Sequence, residues 1–99
     1  MFIKEKHESL RGGDGVIITY TNVIFCGRQR IKVILIKMSP NSTIGLHEHT
    51  DDGEIYMTFN RNVRFGIKKT RYFNRCSKGS FHSASNFSKD WATVFAIKF

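Results

Sequence analysis

The stretch Ile31-Lys32-Val33-Ile34-Leu35-Ile36-Lys37-Met38 constrains this chain more than any other. Its β-branched residues are stiff about χ1, which disfavours a helix and suits an extended backbone. Turn signals bound it, Gly27-Arg28-Gln29-Arg30 before and Ser39-Pro40-Asn41 after. Apolar residues fall on both of its faces, which predicts a strand covered from both sides.

The same pattern repeats along the chain in shorter runs. Residues 16–20, 43–49, 54–59 and 92–99 read as strands, and 23–26 extend or pair with the first. Residues 63–69 and 70–73 read as one or two more. The chain opens with a charged segment, residues 11–15, 74–79 and 86–90 read as loops or turns, and Asn60-Arg61-Asn62 reads as a hairpin turn, because Asn tolerates positive φ. Three glycines in Arg11-Gly12-Gly13-Asp14-Gly15 exclude a helix there. No apolar stripe of helical period runs longer than about two turns. Eight or so short strands separated by turns therefore predict an all-β sandwich or barrel. A chain of 99 residues suits one domain over 1–99. The phenylalanines are expected to pack its core.

Sixteen basic and eight acidic residues give a net charge of +8. That favours an anionic partner: nucleic acid, a phosphorylated or carboxylated small molecule, or an acidic membrane face. Arg64, Lys68, Lys69, Arg71, Arg75 and Lys78 are interleaved with Phe65, Tyr72 and Phe73. Such a run suits single-stranded nucleic acid, and equally an edge strand protected by charge. No apolar run reaches the roughly 20 residues that span a bilayer. Residues 1–10 are charged and lack the apolar centre of a signal peptide, so the expected setting is cytoplasmic. Cys26 and Cys76 form no C-x-x-C pair and read as free thiols filling apolar space.

One stretch carries chemistry. Residues 45–56, Gly-Leu-His-Glu-His-Thr-Asp-Asp-Gly-Glu-Ile-Tyr, place His47 and His49 two apart on a strand, so both project from one face. A polar loop then leads to Glu54, whose carboxylate can reach the same point from a neighbouring strand. His82 can complete the set from a distant strand. Imidazole and carboxylate together suit Fe, Mn, Ni, Cu or Zn as divalent ions. Three nitrogens and one oxygen leave a position open for water or substrate. Tyr56 shares the phase of Glu54 and can donate a proton or hydrogen bond to a ligand. Thr58, Gly45 and Thr43 are expected on the inner face, Gly45 leaving room near the ion.

These motifs resemble those of the cupin family. Its first motif is His-x-His, three or four residues, then Glu, matched by His47, His49 and Glu54. Its second ends Gly-x-x-His-x-x-x-Asn, matched by Gly79, His82 and Asn86. The likeness runs from the Gly-Gly-Asp-Gly segment onward and is greatest to small single-domain cupins. The chain departs from the family pattern at Arg61, where a glycine is usual, and at Ser77, where a proline is common. The resemblance implies a jelly-roll β-barrel and carries the family's metal ligands onto His47, His49, Glu54 and His82. It implies a small-molecule ligand, with or without catalysis, and a homodimer paired through an edge strand. Asn86 is expected to fix a turn.

Overall fold

A computed structural model of the chain describes residues 2–48, 53–66, 73–76 and 79–99. Among these residues the chain forms nine strands and one 3-10 turn. They are β1 (Ile3–Glu8), the turn Leu10–Gly12, β2 (Val16–Cys26), β3 (Gln29–Met38), β4 (Thr43–Glu48), β5 (Glu54–Met57), β6 (Val63–Phe65), β7 (Phe73–Cys76), β8 (Phe81–Asn86) and β9 (Ala92–Lys98). All pair antiparallel in two sheets, of order β1-β2-β3-β9-β5-β7 and β4-β8-β6. The all-β expectation holds.

The sheets face one another across one apolar core. Ile17, Ile36, Met38, Val94 and Ala96 come from the large sheet, and Ile44, Val63, Phe65 and Ala84 from the small one. Strand alternation explains the selection: along β9, Ala92, Val94 and Ala96 are buried while Phe95 and Ile97 face out. The expectation that phenylalanines fill the core is overturned. Of those whose side chains are described only Phe65 is buried, whereas Phe2, Phe25, Phe59, Phe81, Phe87, Phe95 and Phe99 are exposed. Most sit at loop tips or in the outward phase of a strand, so alternation overrides their hydrophobicity.

Other expectations shift in detail. Residues 16–26 form one long strand, β2, paired with β3 from Ile17 to Cys26. Residues 3–8, read only as a charged segment, form the edge strand β1, and strand β7 runs to Cys76, past the expected end at 73. Asn60 and Asn62 do make a turn, with Val63 N–H donating to the Asn60 carbonyl at 3.3 Å. It is no hairpin, however, because β5 and β6 lie in different sheets. Cys26 is a free thiol but stands exposed at the β2–β3 turn and fills no apolar space. The side chain of Cys76, and all of Lys68, Lys69, Arg71, Tyr72 and Lys78, lie outside the described residues. No helix among the described residues is long and apolar enough to cross a membrane.

Asn86 fixes a turn, as expected. Fully buried, it donates from Nδ2 to the carbonyls of Ser39 and Asp90 at 3.0 and 2.9 Å and more weakly to that of Met38 at 3.2 Å, while its Oδ1 accepts from Ser88 N–H. One amide thus ties the end of β3 to the turn before β9.

Candidate metal centre

The position of His47 depends on a bulge. In β4, Ile44 pairs with Ala84 and His47 with His82, so three steps along β4 match two along β8. The extra residue reverses the phase between them. Ile44 and His47 consequently both face the interior, whereas regular alternation would put them on opposite faces. Thr43 and Gly45 therefore do not share the inner face with His47 as the alternation predicted.

Gly45 makes room, but not for an ion. A Cβ there would stand 2.0 Å from the carbonyl oxygen of Arg11, and one at Gly13 would stand 2.1 Å from that of Thr43. No side chain fits either gap, so the Leu10–Gly12 turn lies directly on the β4 backbone. Asp14 N–H donating to Thr43 Oγ1 at 2.7 Å, and Thr43 N–H donating to the Asp14 carbonyl at 2.8 Å, hold it there. The bulge also orients the imidazole: His47 Nδ1–H donates to the Gly45 carbonyl at 2.7 Å. A carbonyl can only accept, so Nδ1 carries the proton and Nε2 presents its lone pair inward.

His82 reaches the same point from β8, where alternation buries it between exposed Phe81 and half-buried Ser83. Its Nε2 lies 2.6 Å from His47 Nε2 and 2.8 Å from the Tyr56 hydroxyl. Tyr56 is buried on β5, its ring stacked against His82 on one contact and Phe65 on another. Glu54, two residues earlier and on the same face, is equally buried; Lys98 Nζ on β9 lies 3.5 Å from its Oε2. Thr58 continues this inward face, as expected, and its hydroxyl donates to the Thr93 carbonyl.

A cavity of about 170 Å³ opens between the sheets, with His47, Glu54, Tyr56 and Lys98 among its lining and Arg11 at its edge. The structure thus brings together His47, His82, Tyr56 and, across the cavity, Glu54. His49 lies outside the described residues. Among the described residues no three His, Cys, Asp or Glu side chains converge on one point. Arg11 and Lys98 were not anticipated as lining residues. For Lys98 the alternation of β9 was the available signal, since it shares the phase of Val94 and Ala96; nothing local in the sequence points to Arg11.

The donor chemistry of the histidine pair fits a cation. Two imidazole nitrogens 2.6 Å apart cannot both present bare lone pairs without repulsion; a proton or a metal ion between them removes it. Nitrogen–metal bonds of about 2.0–2.1 Å place two such atoms about 2.9 Å apart at a right angle and about 3.3 Å apart at a tetrahedral one, so this pair would part by about 0.3–0.7 Å. The Nδ1–carbonyl bond of His47 is the outer support that metal-bound imidazoles commonly have.

No protein-family model matches the chain, and no curated protein does. Solved structures do. A predicted oxalate decarboxylase of Thermotoga maritima is 19% identical at TM-score 0.68, with 99% of this chain and 92% of that chain covered. The cupin domain of Schizosaccharomyces pombe Cnp3 is 7% identical at TM-score 0.62, with 98% and 85% covered. An oxalate oxidase in complex with the substrate analogue glycolate is 18% identical at TM-score 0.59, with 69% and 41% covered. At such identities the likeness is one of fold. The chain has the cupin fold, a β-barrel of jelly-roll type, as its two motifs implied.

Proposed function

We propose that this chain is a single-domain, metal-binding cupin that holds a small organic molecule in the cavity between its sheets. The observation that carries the reading is the convergence of His47 Nε2 and His82 Nε2, 2.6 Å apart, with the tautomer of His47 set by the Gly45 carbonyl. In this reading His49 and Glu54 complete the ligand set. Bound Fe, Mn, Ni, Cu or Zn would supply a Lewis acid to polarise a ligand oxygen. Tyr56, whose hydroxyl meets His82 Nε2 while no ion is bound, would give up that nitrogen to the ion and offer its proton at the cavity wall. Lys98 balances the charge of Glu54 and keeps that carboxylate in place until an ion takes it up.

The cavity suits either an enzyme or a ligand sensor. The oxalate enzymes among the similar structures support small carboxylates as the chemical class, and the fold alone does not select a reaction. The nucleic-acid reading loses support at Phe65, which is buried against Tyr56 and cannot stack on a base.

The homodimer belongs to the same proposal, and its support lies on a sheet face rather than an edge. Register aligns Val33, Ile97 and Ile55 in one row, and Leu35, Phe95 and Met57 in the next, on the outer side of the large sheet. Phe95, Ile97 and Met57 are exposed. The sequence pattern of β3 calls for cover on this face, where Val33, Leu35 and Ile55 are half-buried. These six side chains are uncharged on a chain of net charge +8, and Lys37, in the next row of the same face, is held by Thr93.

Thermal unfolding with added divalent ions tests the metal reading. An ion that binds only the folded chain raises Tm. The wild type should respond to at least one of the five ions, and a His47→Ala, His82→Ala double variant to none. Equal shifts in both proteins would contradict the assignment.

A further inference from the structure

Arg11 stands in an unusual place for an arginine. Its backbone is left-handed, at φ 56° and ψ 31°, inside the Leu10–Gly12 turn. Ser9 before it is left-handed too, at φ 53°. Such angles crowd the Cβ of any residue but glycine. Gly12 N–H donating to the Ser9 carbonyl and Gly13 N–H donating to that of Leu10 keep the turn closed. The Arg11 carbonyl is wedged against Gly45, and Arg11 is one of the residues that line the cavity with His47. The side chain itself is exposed, so packing does not explain its presence.

The charges of the cavity wall are unequal. Lys98 answers Glu54. Among the described residues no carboxylate pairs with Arg11. The wall therefore has a surplus positive charge at its mouth, on the side chain whose fork of donors best matches a carboxylate. Much of the remaining lining is aliphatic, from Leu10, Ile34, Ile36 and Ile44. Size sets a second limit. An apolar cavity of about 150 Å³ holds one benzene molecule, so about 170 Å³ accommodates a body of about six or seven non-hydrogen atoms.

We infer that Arg11 anchors the ligand of this cavity, and that the ligand is a short aliphatic carboxylate of about six non-hydrogen atoms. The guanidinium takes the carboxylate at the mouth, and the aliphatic body lies along Ile34, Ile36 and Ile44. The left-handed backbone at residue 11 lets its carbonyl rest on Gly45 while the residue lines the cavity. The inference rests on the cavity being a ligand site, as proposed above, and not on which metal occupies it.

The test is calorimetric titration of the full chain with butyrate, with its uncharged counterpart butyramide, with octanoate and with inorganic phosphate. Butyrate should bind at least tenfold more tightly than each of the other three. Arg11→Gly suits the left-handed angle, so it should keep the melting temperature within a few degrees while losing the preference for butyrate over butyramide. Arg11→Gln should lose it as well. Equal affinity for butyrate and butyramide would overturn the inference, as would a full preference in Arg11→Gly, phosphate binding as tightly as butyrate, or no butyrate binding by folded wild type. Metal content, measured on the same samples, separates the two readings. Wild type without metal counts against the proposed metal centre, whereas metal-loaded wild type with no charge preference counts against Arg11 alone.

Discussion

His47 and Gly45 act as one unit: the bulge at Gly45 turns the imidazole inward, and the Gly45 carbonyl, 2.7 Å from Nδ1, sets which nitrogen it presents. Gly45 can take this role only because no side chain stands between it and the Leu10–Gly12 turn. The same contact ties the candidate metal ligand to the turn that presents Arg11 to the cavity.

Gly45→Ala should therefore damage fold and site together. Its Cβ would lie 2.0 Å from the Arg11 carbonyl, which is backbone and cannot swing aside. Overpacking of this kind costs about 2–3 kcal/mol. For a chain of this size that lowers Tm by roughly 10 °C or more. A variant melting within 2 °C of wild type, by about the error of such a measurement, would show that the turn is not docked on β4.

Asn86→Ala should be at least as costly. It strips a donor from the carbonyls of Met38, Ser39 and Asp90 and an acceptor from Ser88 N–H in a buried position. Leaving several such groups unpaired costs about 3–4 kcal/mol. Urea unfolding should show a lower midpoint at an unchanged m-value. A midpoint equal to that of wild type would mean that water or a neighbour replaces the amide.

Tyr56→Phe isolates the hydroxyl that touches His82. The ring and its stacking on Phe65 remain, and only the 2.8 Å bond to His82 Nε2 is lost. The expected loss is about 1–2 kcal/mol. Metal content should stay near that of wild type, because Tyr56 is not among the proposed ligands. Loss of metal in this variant would make the tyrosine part of the centre.

Phe95→Asp tests the outer face of the large sheet. Phe95 points away from the core, so the fold should survive with Tm changed by only a few degrees, as for an exposed site. Light scattering should report a dimer for wild type and a monomer for the variant, since two buried, unpaired carboxylates would oppose association. A monomeric wild type would remove the dimer from the account.

Much of this was legible in the residues, for reasons that can be named. The strands β3, β5 and β9 were readable because alternation and turn residues are local signals. His82, Glu54, Tyr56 and Thr58 face inward by simple period-two counting. The edge strand β1, Ile-Lys-Glu-Lys-His-Glu, was hidden by the charge that edge strands carry against unwanted pairing. The bulge in β4 was hidden because it depends on a tertiary contact, Arg11 on Gly45, which no local pattern encodes. The exposed phenylalanines misled for the opposite reason: residue type favoured the core, whereas strand phase decided the outcome. Arg11 escaped notice because a glycine-rich turn looks like a plain connection until its docking partner is known.

The central claim is that His47 and His82 meet to hold a metal ion. Elemental analysis of the chain purified without added metal, beside His82→Ala prepared in the same way, tests it most directly. The account predicts a transition metal near one equivalent per chain in wild type and less than about a tenth of that in the variant. Equal metal in the two proteins, or wild type that stays metal-free after incubation with each of Fe, Mn, Ni, Cu and Zn, would contradict it.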